Sequence, residues 1–153
     1  MKQAPPFHNP SFFLCMGTLA AAFHVLPMST DSPRTKKILA VDNEPSVTMS
    51  LQYVLPRPKY DLTCVDSGDA ALKRLDGGFG EYDIIIVDQK MPNLTGVELI
   101  EAIRERGINS DVIVLSAHLS SEVRQAYERM NVRAMFGKPF NISEIRAAID
   151  QLV

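Results

Sequence analysis

IIIVDQKMPNLTG, residues 84–96, sets four apolar residues against an aspartate and follows them with a proline-containing turn. Ile84–Val87 is a continuous apolar run rather than an alternating one, the pattern of a strand covered on both faces. Asp88 then stands at the end of that strand, exposed yet aimed by a rigid element. Beyond the turn, Thr95 and Glu98 form a capping-box pattern. Val97, Ile100 and Ile103 follow at helical spacing, and Gly107 stops the helix.

The same strand–turn–helix unit recurs on either side. Upstream, Lys37–Val41 (KILAV) is a short apolar run ending in Asp42, and Val47, Leu51, Val54 and Leu55 mark a helix over 44–55 with Pro45 in its first turn. Tyr60–Val65 reads as a second strand, and Ser67 caps a helix through about Leu75. Gly77–Gly80 (GGFG) follows a helix rather than a strand, so it is a loop and not a dinucleotide fingerprint. The third strand is expected over Tyr82–Val87. Downstream come a strand at Asp111–Leu115, a weakly marked helix over 121–130 and a short strand at Arg133–Phe136. Asn141 with Glu144 repeats the capping pattern before a last helix, with Ile145, Ala148, Ile149 and Leu152 inward. Cys64, in the second strand, is expected to be a small buried hydrophobe rather than a reactive thiol.

Apolar strands alternating with amphipathic helices imply an α/β fold with a parallel sheet covered on both faces. In such sheets the functional crevice lies beyond the carboxyl ends of the strands. Strand one ends in Asp42, strand three in Asp88 and strand four in Ser116, and strand five leads to Lys138. A lone aspartate after a strand is ordinarily a turn or cap residue. That account weakens when two carboxylates, a hydroxyl and a lysine converge on one edge. Paired carboxylates repel, which favours a shared proton or a divalent cation, and oxygen ligands suit magnesium completed by a phosphate. Beside such a cation an aspartate can attack a phosphoryl group, while a lysine and a hydroxyl steady the added charge.

From Lys36 to Val153 the chain resembles the receiver domain of bacterial two-component response regulators, chemotaxis-type single-domain regulators among them. The segments ILAVDNEPSV, IIIVDQKMPNLTG, VIVLSAH and GKPF carry the resemblance, with steps of 46, 28 and 22 residues from Asp42 to Asp88, Ser116 and Lys138. It implies a flavodoxin-like doubly wound five-stranded sheet in the order 2-1-3-4-5. It also implies Asp88 as phosphoacceptor, Ser116 and Lys138 as its partners, and Mg2+ held by Asp42, Asn43, Asp88 and the Lys90 backbone carbonyl. A cis Lys138–Pro139 bond is implied as well.

Two positions depart from the family. Asn43 stands where a second acid is normal, which removes a gross attraction of about 4 kcal/mol at 4 Å and an effective dielectric near 20. Weaker magnesium binding is expected, not lost phosphorylation. Glu44 is read as a solvated first-turn residue, with compensation through water as its alternative. Met135 stands where the family has a rotating aromatic, and alternation sends Phe136 to the other face. Lys90 and His118 occupy the two positions that tune dephosphorylation in the family. His118 is read as a loop residue rather than a ligand.

The 153 residues, 46% apolar and 22% charged, suit a globular domain, and a net charge of −2 gives no global attraction to nucleic acid or an acidic membrane. Residues 1–35 are read apart from the domain at 36–153. Lys2 is the single charged side chain before residue 31, and Phe12–Leu26 is a 15-residue apolar run, shorter than the about 20 residues a membrane span needs. This extension is a disordered or membrane-associating tail, a signal-like leader, or the product of a mis-assigned start with translation beginning at Met28. Export conflicts with a cytosolic phosphodonor, so a cytoplasmic location without a stable membrane span is expected.

The function expected is a stand-alone receiver, since the last helix ends with the chain. It takes a phosphoryl group from a histidine kinase or histidine phosphotransfer protein, signals by contact with an unspecified protein and touches no nucleic acid directly. It is not expected to be an enzyme beyond slow self-dephosphorylation. The alternative is a degenerate receiver that binds a partner independently of phosphorylation. An aspartate-nucleophile phosphatase would want an acid two residues after Asp88, and that position is Lys90.

Overall fold

In the computed structural model the described residues are 34–77 and 81–152. All of them fall in the unit Ser32–Val153. The expected extension at 1–35 therefore lies outside the described residues up to position 33, as do the apolar run at 12–26 and most of the GGFG loop. Five strands alternate with five helices: β1 (Lys36–Val41), α1 (Pro45–Val54), β2 (Tyr60–Val65), α2 (Gly68–Asp76), β3 (Ile84–Asp88), α3 (Gly96–Glu105), β4 (Asp111–Ser116), α4 (Ser121–Arg129), β5 (Ala134–Gly137) and α5 (Ile142–Gln151). The strands form one parallel sheet in the order β2-β1-β3-β4-β5. This is the flavodoxin-like arrangement that the resemblance implies.

Period-two alternation divides the core between the two faces of the sheet. Leu39, Val41, Ile85, Val87, Val112 and Val114 face one way and pack with Ala71 of α2, Leu99, Ile100 and Ile103 of α3, and Tyr127 of α4. Ile38, Ala40, Ile84, Ile86, Ile113 and Leu115 face the other way, against Leu51 of α1 and Ile145 and Ile149 of α5. The central strands are buried from Ile38 in β1, throughout β3 and from Val112 in β4, and each fully buried Ile, Leu or Val contributes about 1.5–3 kcal/mol. Cys64 departs from expectation. It is half-buried, because β2 is an edge strand, and burial raises its thiol pKa further from reactivity.

Local signals act at most helix ends. Ser67 Oγ accepts from the Ala70 N–H, and Thr95 with Glu98 makes both halves of the capping box. Gly107, at φ 73°, supplies the left-handed residue after α3. Before α5 the pattern is only half made: Asn141 Oδ1 accepts from the Ser143 N–H at 3.0 Å, and the Glu144 N–H reaches the Asn141 carbonyl. β3 begins at Ile84 instead of Tyr82, because the Asp83 carboxylate accepts the Lys37 N–H at 2.8 Å and caps the sheet there. Lys138–Pro139 is cis, and so is Arg57–Pro58.

Candidate functional site

Register decides which side chains share the crevice. Val41 of β1 pairs with Val87 of β3, so Asp42 and Asp88 leave the sheet at the same level. Asp88 pairs with Leu115 and Ser116 with Gly137, so the chain beyond β5 brings Lys138 to the same end.

Lys138 is the hub. Its Nζ lies 2.9 Å from Asp88 Oδ1, 3.1 Å from Asp42 Oδ2 and 2.9 Å from Glu44 Oε1. The two aspartates are 2–3% exposed, so the exposed Asp88 expected from the sequence is instead buried beneath Lys138, whereas Glu44 is half exposed. Asp42 is oriented by a second bond, its Oδ1 accepting the Glu44 N–H at 2.8 Å.

Two buried carboxylates beside one ammonium set the electrostatics. Burial, then the charge of Asp42, pushes the Asp88 carboxyl above the usual range, while Lys138 and the Lys90 N–H pull it down. For Lys138 burial acts to lower the pKa, and it is outweighed by Glu44, Asp88 and Asp42, which hold the ammonium above its ordinary value.

The remaining candidates divide into two groups. Asn43 and Lys90 line a cleft of about 400 Å³ together with Glu44, Asp88, Met91, Pro92, Ala117 and Lys138. Ser116 is buried at 2% exposure, but its hydroxyl is turned into its own loop. It donates to the His118 carbonyl at 2.8 Å and accepts the His118 N–H at 3.1 Å. His118 itself is exposed. Met135 is half-buried and packs on the α2–α4 face, and Phe136 packs on the opposite face, as alternation requires.

Two participants were not legible beforehand. The first is the direct Glu44–Lys138 pair, where a solvated residue was expected. The second is Tyr127, a fully buried tyrosine whose hydroxyl approaches the backbone at Asp88.

The donor set fits a hard cation. Asp42 and Asp88 point their oxygens at one place already holding a positive charge, and the cleft beside it is lined by the Asn43 amide and the Lys90 segment. Among the described residues no three His, Cys, Asp or Glu side chains form a metal-holding group, so any ion here relies on amide, carbonyl and water oxygens as well.

Residues 38–150 match the model of the response regulator receiver domain. The chain belongs to that family. This receiver is 29% identical over 118 residues to the alkaline phosphatase synthesis transcriptional regulatory protein PhoP of Bacillus subtilis, covering 77% of the chain and 48% of PhoP. It spans about half the length, or less, of the first curated relatives it matches. With sporulation initiation phosphotransferase F of B. subtilis it shares 29% identity over 115 residues, 74% of the chain and 90% of that protein. Among solved structures, chemotaxis protein CheY4 of Vibrio cholerae superposes with a TM-score of 0.70 at 25% identity, over 78% of this chain and 99% of CheY4. Response regulator TrrA of Thermotoga maritima, in complex with Mg(2+)-BeF, gives 0.66 at 29% identity, over 78% and 100%. Among the described residues no helix is long and apolar enough to cross a membrane.

Proposed function

We propose that this receiver is a phosphorylatable switch in a two-component phosphorelay, with Asp88 as its acceptor. The observation that carries the reading is the convergence of Asp42, Asp88 and Lys138 at 2.9–3.1 Å on one sheet edge beside an open cleft. The donor is a phosphohistidine of a kinase or phosphotransfer protein. Its P–N bond breaks, the electron pair returns to the imidazole, and a P–O bond forms to an Asp88 carboxylate oxygen. Asp42, Asp88, the Asn43 amide and the Lys90 carbonyl would hold Mg2+, which when bound neutralises charge on the phosphoryl oxygens. Lys138 keeps its ammonium against Asp88 through the transfer. Ser116 exchanges its bond to the His118 carbonyl for one to a phosphoryl oxygen.

Output is contact with another protein in the cytoplasm, where such donors are found. The 90% span of sporulation initiation phosphotransferase F supports a receiver that works without an attached effector. The extension at 1–35 is proposed to be separate from this activity.

The test is incubation with acetyl phosphate and magnesium. Acid-stable, base-labile phosphate on the parent and none on Asp88→Asn supports the switch. No incorporation at any magnesium concentration favours a degenerate receiver that binds its partner without phosphorylation.

A further inference from the structure

Tyr127 is fully inaccessible, yet among the described residues its hydroxyl has no hydrogen-bond partner. A buried O–H left in this way is costly and calls for explanation. Among the described residues one other buried side-chain atom is in the same condition, Gln89 Oε1. Gln89 directly follows Asp88, and its backbone borders the niche that holds the Tyr127 hydroxyl. A Cβ built on Gly96 would lie 2.8 Å from Tyr127 Oη, and 2.9 Å from both the Asp88 carbonyl oxygen and Gln89 Cα. The hydroxyl is thus wedged between the first residue of α3 and the backbone that leaves the acceptor, a space open only because residue 96 is glycine. Tyr127 also feels the site electrically: burial, then the Asp88 charge, raises its pKa and keeps the O–H a donor. Its ring is carried by α4, whose Glu122, Arg124, Gln125, Glu128 and Arg129 are exposed.

We propose that Tyr127 is a positioning residue that couples α4 to Asp88, its unpartnered hydroxyl donating to Gln89 Oε1 when Asp88 carries a phosphoryl group and drawing α4 with it. The inference rests on Asp88 being the acceptor. In the present state a donor and an acceptor lie close to the same stretch of backbone without meeting. A phosphoryl group adds charge and bulk to the side chain immediately before Gln89. In this proposal, movement of that loop together with a turn of the Gln89 side chain brings the two atoms into range. Neither side-chain atom gives up a hydrogen bond to make the new one, so the new bond favours the shifted α4.

The experiment is amide hydrogen exchange on the full chain with magnesium and beryllofluoride, which takes the place of a phosphoryl group on a carboxylate. Exchange is followed in segments 89–95 and 121–130 for wild type, Asp88→Asn, Tyr127→Phe and Gln89→Met. Wild type is expected to respond in both segments and Asp88→Asn in neither. Tyr127→Phe and Gln89→Met should keep the 89–95 response and lose about fivefold of the 121–130 response, the effect of one ordinary hydrogen bond. The double variant should lose no more than either single one. A 121–130 response equal to wild type in either variant, with 89–95 still responding, overturns the coupling and leaves the acceptor assignment intact. A wild-type 89–95 segment that does not respond, or responds equally in Asp88→Asn, overturns the acceptor assignment and the coupling with it.

Discussion

Lys138 Nζ stands 2.9 Å from Asp88 Oδ1, and the same ammonium serves Asp42 at 3.1 Å, so two buried carboxylates share one cation. Removing that cation leaves both uncompensated, a change that costs about 3–5 kcal/mol in buried pairs. Lys138→Ala in EDTA at pH 7 is therefore expected to lower the melting temperature by about 10 °C. Magnesium should restore part of the loss, because a divalent ion replaces the missing charge. A variant that melts with wild type in EDTA would show that the pair carries no stability.

Asp88 contributes to pH dependence with a definite sign. Its folded-state carboxyl lies above the usual value, chiefly through burial, so the fold binds that proton more readily than the unfolded chain does. The stability this gives is complete below the unfolded value of about 3.9 and is lost as pH rises through the folded value. Asp88→Asn removes the charge without changing the shape. In EDTA it should melt above wild type at pH 7, with the difference shrinking as pH falls through the raised value. Melting curves from pH 3.5 to 8 test this, and an advantage that grows toward acid would contradict it.

The sheet and its edge were legible because they depend on local signals. Four-residue apolar runs, caps such as Thr95–Glu98 and polar residues at strand ends each announce themselves within a short window. What escaped depends on register between distant segments. Glu44 reads as a helix-start residue until β1 and the chain after β5 are aligned, when it meets Lys138, 94 residues away. Ser116 reads as a hydroxyl for the crevice, but the choice between the crevice and the His118 backbone is a rotamer, invisible in a spacing. Tyr127 lies in the weakly marked helix over 121–130, where nothing in the pattern singles it out, and the fold places its ring in the core. Only the depth of Gly96 shows where the hydroxyl ends. Cys64 reads as buried from its apolar run alone, and the sheet order, which puts β2 at an edge, is what leaves it half-buried.

Gly96 gives a steric test of that wedge. Two of the three atoms a Cβ would meet, the Asp88 carbonyl oxygen and Gln89 Cα, are backbone and cannot rotate aside. Gly96→Ala should cost about 2 kcal/mol through overpacking, read as a lower urea midpoint. Adding Tyr127→Phe relieves the hydroxyl contact alone, so the double variant should recover only part of the loss. Tyr127→Phe by itself removes a buried, unpartnered hydroxyl and should be at least as stable as wild type. Full recovery in the double variant would mean that the backbone yields freely.

Asn43 bears on the proposed magnesium site directly. It lines the same cleft as Asp88 and Lys90, is exposed at the start of the turn into α1, and brings an amide oxygen where a carboxylate would bring a full charge. Asn43→Asp adds that charge next to Asp42 without filling new space. The gross gain is about 4 kcal/mol at 4 Å and an effective dielectric near 20, and most of it is offset by dehydrating the new carboxylate and by its repulsion from Asp42. A net tightening of magnesium binding by about tenfold is expected, measured by calorimetric titration of the metal-free chain. In metal-free buffer the same substitution should lower the melting temperature slightly, since a fourth acid joins Asp42, Asp88 and Glu44 beside a single ammonium. Unchanged affinity, with the metal-free protein destabilised, would place Asn43 outside the ion's reach.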